Sequence, residues 1–203
     1  FMRALPDTAA GAANGERARP DIQFHVATLS ADMAGGKVHP YSGFTMSVCQ
    51  LRPESRGYVR IRSLDPLQPP SMQPNYLDTD LDRRTNVAAV RAARSIAQSP
   101  AMAPYVKREV KPGLAAQSDE ELLEFCRNNG ATIFHPSGTC RMGHDAMAVV
   151  DSRLRVHGVK GIRVVDCSVM PTLVSGNTNA PVVMMAEKAA DMIREDARQL
   201  AAA

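Results

Sequence analysis

Ile133-Phe134-His135-Pro136-Ser137-Gly138-Thr139-Cys140-Arg141-Met142-Gly143 is the stretch on which the reading of this 203-residue chain turns. Ala131-Thr132-Ile133-Phe134 has the composition of a short buried strand, and it hands His135 to Pro136-Ser137-Gly138-Thr139, a turn-forming run. A histidine at a strand exit is well placed to face a cleft. Its imidazole is also the side chain whose ordinary titration lies nearest neutral pH.

Downstream, Leu154-Arg155-Val156 and Gly161-Ile162-Arg163-Val164-Val165 flank a turn at residues 158–161 and read as two strands, the second ending at Asp166-Cys167-Ser168. Ser175-Gly176-Asn177-Thr178-Asn179 then leads into a final helix from about Ala180. Val183, Ala186, Ala190 and Ile193 would form its inward stripe, with Pro181 tolerated in the first turn.

Upstream, Asp21 to Leu29 alternates, with Ile22, Phe24 and Val26 on one face and Gln23 and His25 on the other. Phe44 to Leu51 alternates too. After the turn chemistry of residues 52–57 comes Tyr58-Val59-Arg60-Ile61-Arg62, so these two runs read as antiparallel strands joined by a short connection. Asp65 to Pro74 holds four prolines and reads as an extended loop. From Asp80 to Gln98, Leu81, Val87, Val90, Ala93 and Ile96 recur at helical spacing. A shorter helix starts at Ser118, where Glu121 completes a capping box, and stops at Asn128-Asn129-Gly130, with Gly130 free to adopt a left-handed cap. Residues 6–20 lack apolar period and read as loop or linker, so residues 1–20 are set apart and order is expected to begin near Asp21.

Composition narrows the function classes. With 44% hydrophobic and 22% charged residues the chain is an ordinary globular sequence. Its 24 basic and 21 acidic residues are interspersed, so no basic tract points to nucleic acid. Cys49, Cys126, Cys140 and Cys167 are far apart with no CxxC pair, which favours reduced thiols over a disulfide frame. The expected location is therefore cytoplasmic, or peripheral to the inner membrane. No apolar run approaches the roughly 18–20 residues of a spanning helix.

The Ile133–Gly143 stretch resembles the HPxGTCxMG segment of the glucose-methanol-choline (GMC) oxidoreductases. Val150-Asp151, Leu154-Arg155-Val156, Gly161 to Asp166, Ser168-Val169-Met170-Pro171 and Ser175-Gly176-Asn177-Thr178-Asn179-Ala180-Pro181 continue the same signature in order. Leu51 to Gly57, and Asp65-Pro66 through Pro74-Asn75-Tyr76-Leu77, resemble the family's substrate-domain strands. The likeness covers about residues 21–197 and is nearest the choline-dehydrogenase-like, aliphatic-alcohol branch. It implies an α+β fold. Residues 21–130 would form most of an antiparallel-sheet substrate domain with helices, and residues 131–203 would complete the FAD domain and the active site. One departure is large: no two of the 13 glycines are separated by a single residue. The GxGxxG turn that holds FAD pyrophosphate is therefore missing, and the expectation is a fragment whose partner is the N-terminal FAD-binding half.

The resemblance also assigns roles. Oxidising an alcohol at a flavin requires removal of the hydroxyl proton as hydride leaves carbon. His135 resembles the family's base; His25, His39, His144 and His157 lie on a polar strand face or in loops and turns. Asn177 stands where the family carries a second His or an Asn, and its amide would orient the alcohol. Outside that motif it would read as a plain helix cap. The start of the final helix, with Thr178 and Asn179, would favour the negative charge of reduced flavin, and Asp166 and Cys167 would lie beside the flavin through backbone groups. The family more often has Ala or Gly at the Cys167 position, where a small buried residue is the competing reading. The implied partners are a small alcohol and an electron acceptor, oxygen or a quinone. A metal site from His135, Cys140, His144 and His157 fits no zinc spacing. A hydroxynitrile lyase of the same fold, and an inactive folding or interaction module, are the alternative functions.

Overall fold

The computed structural model describes residues 1–5, 19–32 and 36–202. It comprises two compact units, one of Phe1–Gly57 with Pro74–Ala131 and one of Tyr58–Gln73 with Thr132–Ala203. Small antiparallel sheets are mixed with helices, the α+β class that the sequence implies.

In the first unit the alternating runs become β1 (Ile22–Ala27) and β2 (Thr45–Gln50), paired antiparallel with Ile22 opposite Gln50 and Ala27 opposite Thr45. Order starts earlier than Asp21. The Met2 N–H donates to the Ile22 carbonyl at 3.0 Å, and the Asp21 carboxylate accepts the N–H groups of Ala4 at 2.6 Å and Leu5 at 3.0 Å. Residues 6–18, the bulk of the expected linker, lie outside the described residues.

Helix α1 (Asp80–Ala97) is capped by Thr79, whose hydroxyl accepts the Asp82 N–H. Helix α2 (Asp119–Asn129) carries the expected capping box between Ser118 and Glu121. Val87 and Val90 of α1 pack with Leu122 of α2, and Ala116, Leu123 and Cys126 surround them. Gly130 is not left-handed. Its φ of −68° and ψ of 142° are extended, and a Cβ there would lie 2.6 Å from the Cys126 carbonyl, so the glycine serves a close approach of backbone.

The expected pairing of Phe44–Leu51 with Tyr58–Arg62 does not form. Residues 52–57 are no hairpin turn, because Asp82 of α1 claims their donors. Its carboxylate is 2% exposed and accepts the N–H groups of Glu54 at 2.9 Å and Ser55 at 2.8 Å, and the Gln50 amide at 2.8 Å. With the chain held there, β2 pairs with β1, and β3 (Tyr58–Arg60) pairs with β4 (Ser71–Gln73) in the second unit. β4 occupies the proline-free stretch between Pro70 and Pro74, where the donors a ladder needs survive.

The second unit gathers Val150, Leu154, Val169 and Ala189 into a core, with Met142, Val149, Val156, Val164, Val165 and Met185 packed around it. Three expected strands are absent. Ile133 and Phe134 are 44% and 74% exposed, and the Phe134 N–H is spent on Thr132 Oγ1 at 3.1 Å, so 131–134 is a turn-bound loop. Leu154–Val156 and Gly161–Val165 meet in one isolated bridge, Arg155 to Arg163. The reason is Asp151, whose side chain accepts the Arg153 N–H at 2.8 Å and the Arg155 N–H at 2.9 Å and coils the backbone, with Leu154 at a φ of 63°.

Helix α3 (Asn179–Ala201) is rotated from the expected face. Val183 and Ile193 are 54% and 48% exposed, whereas Ala189 is buried and Val182, Met185, Met192 and Asp196 are half-buried. Polar anchors set this rotation. Asp196 accepts from Arg153 at 2.6 Å and from Arg163, and Arg153 also donates to the Met192 carbonyl at 3.0 Å.

Asp82 supplies a stability test. Burial, the largest influence, pushes its pKa up, but hydrogen bonds from Ser55, Glu54 and Gln50 outweigh it and hold the carboxyl below its ordinary value. A folded pKa below the unfolded one stabilises the fold above about pH 5, and the benefit fades as pH falls through the folded pKa. Asp82→Asn turns one acceptor into a donor facing backbone N–H groups. It is expected to cost about 2–4 kcal/mol in urea unfolding at pH 7 and less at pH 3.

Candidate functional site

His135 and Asn177, 42 residues apart, are brought together in the second unit. Asn177 Nδ2 lies 3.1 Å from His135 Nε2, and His135 Nδ1 lies 2.8 Å from Thr178 Oγ1. The imidazole is thus held at both nitrogens by consecutive residues at the start of α3. His135 is half-buried, Asn177 is exposed and Thr178 is 6% exposed, so the Asn177 side of the ring faces outward.

The placement has a backbone cause. Beyond His135 the chain lies along the one-turn 3₁₀ helix Cys167–Val169. Gly138 N–H reaches the Cys167 carbonyl at 3.4 Å, Cys140 N–H the Ser168 carbonyl at 2.9 Å, and Met142 N–H the Val169 carbonyl at 2.9 Å. Asp166 starts that turn by accepting the Ser168 N–H at 2.7 Å. Gly138 permits the bend after His135, because its φ is +83°, and a side chain there would also meet the Met170 carbonyl at 3.4 Å. Phe134 adopts a φ of 62°, uncommon for a bulky residue, immediately before the histidine.

Chemically, an amide nitrogen donates only, so the Asn177 contact implies a lone pair on Nε2 with the amide set as it stands. A hydroxyl that displaced the amide from that nitrogen would find a proton acceptor, with the amide beside it to donate to its oxygen. The expected flavin-facing residues sit nearby in the chain order of the fold: Asp166 and Asn179 are exposed, and Cys167 is half-buried. The Thr178 side chain makes no cap bond at the N-terminus of α3. The four cysteines are unpaired thiols, and burial pushes the pKa of Cys49 and Cys126 up. His157 donates from Nε2 to the Gly143 carbonyl at 3.0 Å, and Arg141 holds the Asp145 carboxyl at about 2, with the Met147 N–H assisting. Both serve the loop after the site. Among the described residues no group of three or more His, Cys, Asp or Glu side chains is arranged to hold a metal ion.

Sequence comparison decides the family, because the GMC oxidoreductase family profile matches residues 53–186. The chain belongs to the GMC oxidoreductases. It is 46% identical over 178 residues to "Alcohol dehydrogenase [acceptor]" of Pseudomonas putida, covering 88% of this chain and 32% of that protein. It is also 46% identical over 179 residues to an "Oxygen-dependent choline dehydrogenase" of Escherichia coli, again with 88% and 32% covered. Among solved structures, pyridoxine 4-oxidase from "Mesorbium loti" superposes with a TM-score of 0.82 at 32% identity, over 96% of this chain and 37% of that one. A fungal aryl-alcohol oxidase gives a TM-score of 0.69 at 36% identity, over 77% and 26%. This GMC chain therefore spans about a third of the length of the curated relatives it matches.

The Thr178 contact with His135 is the feature of the site that sequence reading missed. A threonine at a helix start reads as a cap, and only its place next to Asn177 hints otherwise. The Gly138 bend gives the test here. Gly138→Ala forces a Cβ into a left-handed backbone and is expected to lower stability by about 1–2 kcal/mol, read as a fall in thermal midpoint. Gly158→Ala, at a position whose φ is also positive but whose Cβ site is open, isolates the conformational part of that cost from the steric part.

Proposed function

We propose that the protein carrying this region oxidises the CH–OH group of a small alcohol to a carbonyl with bound FAD, His135 acting as the base. The observation that supports the reading is the His135–Asn177 pair: the amide occupies the Nε2 lone pair, which a substrate hydroxyl would take over as the amide turns to its oxygen. FAD, when bound, supplies the acceptor for the hydride that leaves carbon. The hydroxyl proton passes to His135 Nε2 as the C=O bond forms, so charge and atoms balance. Asn177 orients the oxygen by donating to it while negative charge gathers there.

The donor set fits the flavin end of FAD. Thr178 makes no side-chain cap at the N-terminus of the 23-residue helix α3, and the helix dipole there favours an anion. Asn179 and the backbone of Thr178 belong to that end; Asp166 and Cys167, at the adjoining 3₁₀ turn, would contribute through their backbone. The pyrophosphate and adenosine contacts fall to the N-terminal half, which the length of the relatives leaves room for. In this reading residues 21–130 shape the substrate side and residues 131–203 close the FAD domain. The relatives' names support an alcohol or choline-like substrate and an acceptor that is oxygen in one case. Four unpaired thiols favour a reducing compartment, the cytoplasm or the cytoplasmic face of the inner membrane. Among the described residues no helix is long and apolar enough to cross a membrane.

Stopped-flow reduction of FAD by alcohol tests this. His135→Ala is expected to slow it by about 10²–10⁴-fold with FAD still bound. Asn177→Asp is expected to slow it more than Asn177→Ala, because a carboxylate opposes the developing negative charge. Reduction of the His135→Ala protein at the unmodified rate would remove His135 from this role.

A further inference from the structure

Thr178 stands at the position from which a threonine ordinarily caps a helix, its oxygen accepting an N–H of the first turn. Here its backbone is already helical, at φ −88° and ψ −13°, and its side chain makes no cap bond. The hydroxyl is instead turned to His135 Nδ1 at 2.8 Å, in a residue only 6% exposed. With the Asn177 amide set as it stands, its nitrogen donates to Nε2, which assigns the ring proton to Nδ1 and makes Thr178 Oγ1 its acceptor. Pro181, three residues on, has no N–H for the usual cap bond, and the buried hydroxyl is spent on one ring nitrogen instead.

We propose that Thr178 is a positioning residue for the base: through Nδ1 it fixes the plane and tautomer of His135 and so keeps the Nε2 lone pair on the substrate side. Thr178 neither gains nor loses a proton. When the substrate O–H bond breaks and the Nε2–H bond forms, the ring becomes an imidazolium, and the Nδ1–H donor to Oγ1 strengthens with the charge. The hydroxyl thereby favours the charged ring more than the neutral one, which is the condition for accelerating the step. This inference rests on the reading of His135 as base.

The test is a double-mutant cycle in the flavin-loaded protein that carries this region, read by stopped-flow flavin reduction. Thr178→Val is expected to lower the limiting rate constant about tenfold to a hundredfold, with substrate affinity and FAD content unchanged. Thr178→Ser, which keeps the oxygen, restores the rate to within about threefold. In the His135→Ala background Thr178→Val has no further effect, because its route to the reaction is gone. The thermal midpoint of Thr178→Val falls, because Nδ1–H loses its buried acceptor, and retained FAD content shows that folded protein is being assayed. Thr178→Ala gives the same comparison with a smaller side chain. An unchanged rate in Thr178→Val, or an equal loss with and without His135, overturns the inference while leaving the base in place. A His135→Ala protein that reduces flavin at the unmodified rate overturns the base reading itself, and the two failures are distinct.

Discussion

Three backbone hydrogen bonds, from Gly138, Cys140 and Met142 to the carbonyls of Cys167, Ser168 and Val169, carry the architecture of the site. The unit that contains them has, among the described residues, a single pair of three-residue strands and otherwise irregular backbone before α3, so its polar groups must be paired one at a time. Gly138 and Asp166 make this ladder possible from either side, one by allowing the bend and the other by starting the 3₁₀ turn. Once it forms, Val169 and Met170 are buried, and His135 emerges just before the ladder. Asn177 and Thr178 follow shortly after it, at the start of α3. Two sequence-distant segments are thereby fixed at hydrogen-bond distance.

Buried or half-buried carboxylates do for the rest of the fold what long sheets do elsewhere. Asp21 gathers the N-terminal residues, Asp82 gathers residues 54 and 55, Asp151 coils residues 153–155, and Asp196 takes Arg153 and Arg163. For Asp196, burial raises the pKa, but the two arginines outweigh it and keep the carboxyl ionised below its ordinary range. These anchors explain where sequence reading succeeded. Helix α1 was legible from the helical spacing of its apolar residues and α2 from the Ser118–Glu121 capping box, both local signals, and β1 and β2 because alternation is local too. Which strand pairs with which was not legible, since it depends on Asp82, some thirty residues from the segment it holds. The rotation of α3 escaped for the same reason. Val182, Val183, Met184 and Met185 make the first two turns apolar on several sides, so periodicity alone admits more than one inward face, and Arg153 and Arg163 choose between them.

The catalytic candidates were legible in another way. His135 and Asn177 stand out by ordered motif, not by periodicity, and the strand expected to deliver His135 proved to be a loop with Phe134 in a left-handed conformation. The family signature pointed to two residues that the fold brings to hydrogen-bond distance, although the local structure drawn for the first of them was wrong. A loop tied at both ends by hydrogen bonds positions a side chain as well as a strand does.

Thr178 shows how helix α3 and the proposed base share one residue. A threonine cap usually bonds the N–H three residues on, and here that residue is Pro181, which has none, so the hydroxyl can turn to His135. The 23-residue helix is held instead by Ala189 and Met185 in the core and by Asp196 clasped by two arginines. The hydroxyl gives Nδ1 of His135 a buried partner. Sequence could not reveal this division, because a Thr at a helix start is consistent with capping until the orientation of its hydroxyl is known. A hydroxyl whose usual cap partner is missing is thus free to orient the residue that would move the proton.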